Sequence, residues 1–206
     1  MINKTFFVLS GIVLLVFLGF LFKPSKDAPI KNLPSNGKDI IAFGDSLIKG
    51  SGASVDKDFV SLLSKKIGRP IINLGVPGDT TADGIKRVDE LDTYDPKVVL
   101  LLLGGNDHLR KMPIKDTFRN LSVLIEHIQA SGAIVLLLGV RGNLFGDVFK
   151  SEFEKLRDTY HTAYVPDVLD GLFGNAKYME DTIHPNDAGN AIIADRIYPV
   201  LLPLIQ

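Results

Sequence analysis

Four short polar clusters hold the residues of this chain that could do chemistry. The sharpest is Asp181-Thr182-Ile183-His184-Pro185-Asn186. A carboxylate three residues ahead of an imidazole can loop back to the ring's Nδ1–H and turn the other nitrogen outward as a base. Pro185 suits the first turn of a following helix and fixes where His184 leaves the chain. The other three histidines have plainer settings, His127 in a helix beside its core face, His161 in a polar connector and His108 in a loop. A base needs a nucleophile, and Ile40-Ile41-Ala42-Phe43-Gly44-Asp45-Ser46-Leu47 supplies one candidate, an apolar run ending in a polar turn with a single hydroxyl, Ser46. A serine in that place is also an ordinary helix cap or turn residue. In Leu103-Gly104-Gly105-Asn106-Asp107 the Asn106 amide is an uncharged donor able to steady a developing oxyanion. Asn106 could equally cap a helix, and Asp107 beside it is an equal candidate for the polar role. In Val76-Pro77-Gly78-Asp79, Gly78 could aim a bare N–H into a cleft, although a Pro-Gly pair is also the usual way to build a type II turn.

Asp45, Asp79, Asp107 and Asp181 offer a competing chemistry, because four loop carboxylates converging at one edge would bind a hard cation as in a phosphoesterase. No His-x-His, His-Glu-x-x-His or calcium-loop pattern accompanies them. Each aspartate also has a serine, glycine, asparagine or histidine nearby that acyl transfer uses and a metal leaves idle. No metal and no cofactor is therefore expected.

The clusters need a scaffold that brings them together. From Asp39 onward short apolar runs alternate with stretches of helical period, the pattern of a parallel sheet wrapped by helices. Strands are expected at Ile40–Phe43, Pro70–Leu74, Val98–Leu103, Ala133–Leu138 and Ala163–Val165. Phe59, Leu62, Leu63 and Ile67 share one helical face, and Leu121, Leu124, Ile125 and Ile128 another. A closing helix over Ala188–Leu204 turns Ile192, Ile193, Ile197 and Leu201 inward. The result is an α/β three-layer sandwich with a five-stranded parallel sheet. Every polar cluster named above then follows a strand, at the sheet edge where open α/β folds bind ligands.

Composition narrows the partners. With 23 basic against 24 acidic residues and no basic run, nucleic acid is not expected. The absence of cysteine excludes disulfides, thiolate metal sites and a cysteine nucleophile. Phe6–Phe22 is a nearly unbroken apolar run flanked by Lys4 and Lys23, about as long as the shortest spanning helices. It lacks a small-x-small cleavage pattern, so an uncleaved anchor is favoured over a removed signal sequence. The expected organisation is an N-terminal anchor or signal over residues 1–23, a Pro- and Gly-containing linker over 24–37, and one α/β domain over 38–206. The domain is expected to sit in the periplasm or outside the cell, held at the membrane through Phe6–Phe22 or, alternatively, released after cleavage. A monomer is expected.

Gly44-Asp45-Ser46-Leu47, Gly78, Gly105-Asn106-Asp107 and Asp181-x-x-His184-Pro185 together resemble the SGNH, or GDSL, hydrolases in order and spacing. The wording of Pro77-Gly78-Asp79-Thr80-Thr81 and of Leu103–Arg110 is similar to the bacterial thioesterase I, lysophospholipase and arylesterase branch. The resemblance implies a flavodoxin-like SGNH fold, Ser46 as nucleophile, His184 as general base and Asp181 as its partner. It also implies an oxyanion hole of the Ser46 and Gly78 backbone N–H groups with the Asn106 side chain. The substrate would be a small-molecule or lipid ester, and the activity that of an arylesterase, an acyl-CoA thioesterase or a lysophospholipase. A cell-envelope carbohydrate O-acetyl esterase is the alternative, and a tethered binding protein without turnover is the alternative from another class. Loops His108–Pro113 and Val140–Phe149 could line the acyl site with Leu109, Met112, Leu144, Phe145, Val148 and Phe149, or simply cap the sheet.

Overall fold

A computed structural model describes residues 29–140 and 146–206. Five parallel strands, β1 (Asp39–Gly44), β2 (Ile72–Gly75), β3 (Pro96–Leu102), β4 (Ile134–Leu138) and β5 (Ala163–Val165), form one sheet in the order β2-β1-β3-β4-β5. The central strands are apolar along their whole length because both faces are covered. Ile40–Phe43, Val98–Leu102 and Ile134–Leu138 are at most 1% exposed. β2 lies on an edge and is only half buried, and it starts after Pro70, whose missing N–H cannot join the ladder. β3 starts earlier than its apolar run suggests, with Pro96 at its first position, where a proline costs no ladder bond.

The helices follow their periodicity. α1 (Ser46–Lys49) is a single turn after β1. α2 (Phe59–Ile67) is capped at one end by Asp58 and at the other by Gly68, and buries Phe59, Val60 and Leu63. α3 (Thr81–Lys86) opens with a capping box between Thr80 and Asp83. α4 (Gly105–Leu109) is short, while α5 (Ile114–Ala130) buries Phe118, Leu121, Leu124, Ile125 and Ile128. α6 (Gly146–Tyr160) packs on α5. α7 (Asp187–Leu201) packs on α2, and past Pro199 it tightens into a 3₁₀ turn over Leu202–Leu204. It begins two residues after Pro185 because the Asn186 side chain accepts from the Ala188 and Gly189 N–H groups and so sets the cap. Right-handed crossovers in this strand order put α2 and α7 on one face and α3, α5 and α6 on the other. The sequence-predicted sandwich is the observed architecture.

The described part of the stretch read as a linker is tied to the N-terminal edge of the sheet. Asn32 Nδ2 donates to the Gln129 and Ala133 carbonyls at 2.9 and 2.8 Å, and Ser35 Oγ to the Gly132 carbonyl at 2.9 Å. The Lys31 N–H adds a bond to the His161 carbonyl at 2.9 Å. Phe6–Phe22 lies outside the described residues. Among the described residues no helix is long and apolar enough to cross a membrane.

Candidate active site

β1 ends at Gly44 and the chain turns at once into α1, with Asp45 as its cap and Ser46 as its first residue. Asp45 Oδ1 accepts from the Leu47 N–H at 3.0 Å, so the turn is locked by its own side chain. Ser46 is thereby held at the C-terminal edge of a buried central strand. Its Oγ lies 3.0 Å from His184 Nε2. These two residues are 138 positions apart, and only the fold brings them together.

His184 is fixed from behind by a local device. Asp181 Oδ1 accepts from the Ile183 and His184 backbone N–H groups, both at 2.7 Å, while Oδ2 faces His184 Nδ1 at 2.7 Å. With the proton on Nδ1, the Nε2 lone pair points at the serine hydroxyl. The hydrogen bond from His184, aided by the Ile183 N–H, holds the Asp181 carboxyl down at about 2. The loop carrying the pair is bolted to the domain by Asn190, a buried amide on α7. It donates to the Pro185 and Asn186 carbonyls at 2.9 and 3.0 Å and accepts from the Phe59 N–H at 3.0 Å. Gly52 completes the collar with φ +90°, since a Cβ there would stand 2.9 Å from His184 Cβ and 2.8 Å from the Pro185 carbonyl oxygen.

The choice between Asn106 and Asp107 is made by their directions on α4, where successive side chains diverge by about 100°. Asp107 is fully buried and caps α3, accepting from the Thr81 N–H at 2.9 Å and from the Thr81 hydroxyl. Asn106 faces the cleft beside Asp45, Ser46 and His184. One hydrogen of its Nδ2 goes to the Asp79 carbonyl at 2.9 Å, and the Asp45 Oδ2 atom stands 3.4 Å away near the other. Gly78 has φ +87° in the turn closed by the Asp79 N–H on the Val76 carbonyl, so the Pro-Gly turn is real. Gly78 adjoins the carbonyl that Asn106 engages but is not in the cleft wall.

Asp45, named from the sequence only as a candidate metal ligand, and Arg87, not named at all, shape this edge. Asp45 is 2% exposed, and burial pushes its carboxyl up to about 7 against the opposing pull of the Leu47 N–H and the His184 charge. Arg87, also largely buried, reaches Asp79 Oδ2 with Nε at 2.7 Å, the Leu74 carbonyl with Nη1 at 3.0 Å and the Gly44 carbonyl with Nη2 at 2.9 Å. Its guanidinium lies 4.0 Å from the centre of the Phe43 ring. Asp45 stands inside the Gly44–Leu47 block, but the block does not reveal its burial, and no motif marks Arg87; a buried acid and a buried arginine announce themselves only through neighbours.

The four aspartates do not converge on one point. Asp45 holds Leu47, Asp79 holds Arg87, Asp107 holds Thr81 and Asp181 holds His184. Among the described residues, the single His/Asp/Glu group with ligand-like spacing is Asp89, Asp92 and His127, and it includes none of the four. Of the expected substrate contacts, Leu109 lines the cleft and Met112 does not. Leu144 and Phe145 lie outside the described residues. Phe149 belongs to the core, 2% exposed and packed edge-on against Phe118 with centroids 5.3 Å apart. The apolar walls also include Leu47 of α1, Val140 after β4, and Leu169, Phe173 and Ile183 of the long connection between β5 and α7, which have no shared sequence pattern.

Residues 42–192 match the GDSL-like lipase/acylhydrolase family. The chain belongs to that family. It is 31% identical over 178 residues to esterase TesA of Pseudomonas aeruginosa, covering 81% of this chain and 89% of the relative. An arylesterase of Vibrio mimicus is 32% identical over 168 residues, covering 76% and 84%. The thioesterase 1/protease 1/lysophospholipase L1 of Escherichia coli K12 is 29% identical over 176 residues, covering 81% and 85%. The crystal structure of TesA superposes with a TM-score of 0.77 at 31% identity over 81% of this chain and 99% of that one. The psychrotrophic esterase EstA from Pseudoalteromonas sp., inhibited by monoethylphosphonate, gives 0.73 at 27% identity over 80% and 96%. Membership makes this GDSL-like chain an ester hydrolase on a fold shared with TesA.

Proposed function

We propose that this GDSL-like hydrolase cleaves carboxylic esters or thioesters through an acyl-enzyme on Ser46. The observation that carries the reading is the relay of 3.0 Å from Ser46 Oγ to His184 Nε2 and 2.7 Å from His184 Nδ1 to Asp181. His184 takes the hydroxyl proton as Oγ bonds to the carbonyl carbon, and the C=O electron pair moves onto oxygen. That oxyanion rests on the Ser46 backbone N–H and on Asn106 Nδ2, whose hydrogen near Asp45 Oδ2 at 3.4 Å turns to it, with the Gly78 N–H as the third donor that the family resemblance implies. Collapse breaks the bond to the leaving alcohol or thiol, which receives the proton from His184. Water then repeats the cycle and frees the acid. Asp181 keeps its negative charge throughout and steadies the imidazolium, in keeping with a carboxyl held at about 2.

The relatives named esterase, arylesterase and thioesterase support both ester classes for this chain. Phe6–Phe22 would hold the domain at a membrane, with the catalytic side in the periplasm or outside the cell.

The test uses the full chain in a mild detergent on p-nitrophenyl esters of increasing acyl length. Turnover abolished by Ser46→Ala, with a covalent adduct on Ser46 from an alkyl phosphonate, is the expected outcome. Undiminished turnover in the Ser46→Ala protein would sink the proposal.

A further inference from the structure

A second opening adjoins the cleft at Ser46. Beside the serine the cleft is narrow, about 30 Å³, and Phe173 forms part of its wall. Phe173 is also a wall of a second, open groove of about 730 Å³ that runs along the loop between β5 and α7. Ala176, Met179, Glu180 and Asp181 line this groove, which therefore reaches the back of the Asp181–His184 pair.

Acyl transfer dictates which part of a substrate points there. The oxyanion must face Asn106, and the leaving atom must come within hydrogen-bond reach of His184 Nε2 to receive its proton. Phe173 is the wall that the cleft shares with the groove, so a substituent that leaves the cleft on the Phe173 side enters the groove. Its walls combine apolar surface from Phe173, Ala176 and Met179 with the carboxylates of Glu180 and Asp181. Among the described residues no lysine, arginine or histidine lines it. Lys177 of the same loop is absent from the wall and sits 5.3 Å from the centre of the Tyr178 ring.

We propose that this groove is the leaving-group subsite and that it selects a neutral or cationic alcohol or thiol with apolar surface over an anionic one. The inference rests on the acyl-transfer reading and adds to it the charge of the group released. A polyanionic carrier thiol would be a poor leaving group here, and an alkylammonium-bearing or aryl one a good one.

Three thioesters of one acyl group test it, butyrylthiocholine, S-butyryl mercaptoethanol and S-butyryl thioglycolate, with the full chain in detergent at low salt. Each kcat/KM is divided by the rate of hydroxide-driven hydrolysis of the same compound, which removes differences in thiol acidity. The expected order is cation, then neutral, then anion. Glu180→Gln should shrink the cation-to-anion ratio about threefold, the effect of one exposed charge, and Glu180→Lys should shrink it further. Added salt should compress the wild-type ratio, since it screens such charges. A corrected ratio near one, or a ratio indifferent to both Glu180 variants, overturns the proposal while leaving the esterase reading intact. Absence of Ser46-dependent turnover on all three compounds overturns both.

Discussion

Replacing Arg87 by methionine tests whether one buried cation assembles the oxyanion-binding edge. Arg87 ties the end of β1 through the Gly44 carbonyl, the end of β2 through the Leu74 carbonyl, and the Asp79 side chain. The Asp79 main-chain carbonyl in turn holds Asn106 Nδ2 at 2.9 Å. Methionine keeps much of the packing on Phe43 but removes every donor. Asp79 is then left with its carboxylate only 12% exposed and no cation beside it, a loss of roughly 3–5 kcal/mol for a buried pair broken on one side. Because some water reaches both groups, the lower figure of about 3 kcal/mol is expected in urea denaturation, which most domains survive. Catalysis should fall through the displaced Asn106, by about 10–100-fold in kcat and within the roughly 10²–10³-fold cost of deleting an oxyanion donor outright. Arg87→Lys keeps the charge but cannot span three acceptors, so it should lie between. The decisive measurement is the Arg87→Met/Asn106→Ala double variant, whose kcat should be no lower than that of Asn106→Ala alone. Fully multiplicative losses, or an Arg87→Met protein as stable and active as the parent, would refute the reasoning.

Four further outcomes are expected. Ser46→Ala or His184→Ala should each lower kcat by about 10⁶, read in single-turnover assays with a p-nitrophenyl ester. Asn106→Ala should cost about 10²–10³ in kcat with KM little changed, because the oxyanion exists only along the reaction path. Gly52→Ala should crowd His184 and Pro185 and strain a residue at φ +90°, reducing kcat at least tenfold relative to a surface alanine control; an unaffected kcat removes Gly52 from the collar. Asp45 makes a pH prediction. Its carboxyl titrates near 7 in the fold and near 3.8 unfolded, so the native state retains a proton the unfolded chain has released. This contribution to stability is complete below pH 3.8 and declines until about pH 7, by up to about 1.4 kcal/mol per pH unit. Urea midpoints of Asp45→Asn should show a shallower fall over that range than the parent, and parallel profiles would refute the assignment.

Much of the fold was legible because strand burial leaves a one-dimensional trace. Ile40–Phe43 and Ile134–Leu138 are unbroken apolar runs since helices cover both faces, and their ends appear wherever glycine or a polar residue interrupts them. The Asp181–His184 pair was legible for a related reason, as a contact across three residues is set by local chain geometry. The resemblance to the GDSL hydrolases rests on such local blocks, and the family match over residues 42–192 agrees with it. Residues outside any block were harder. Phe149, which the sequence left as either an acyl-site wall or a cap on the sheet, packs into an aromatic cluster with Phe118 and Phe153 because the face of α6 that carries it meets α5. The 29–37 stretch has the composition of a linker, yet Asn32 and Ser35 find carbonyls at the sheet's lower edge.

By itself, then, the sequence determined the strand runs, the serine at a strand tip and the histidine with its carboxylate, all of which depend on neighbours a few residues away. Tertiary structure alone decided that Ser46 meets His184, that Asn106 rather than Asp107 faces the cleft, that Arg87 binds the ends of two strands, and that a carboxylate-lined groove opens behind the imidazole. Those facts follow from strand order and crossover hand, which bring distant segments to one edge, and periodicity encodes which face is buried without naming what it is buried against.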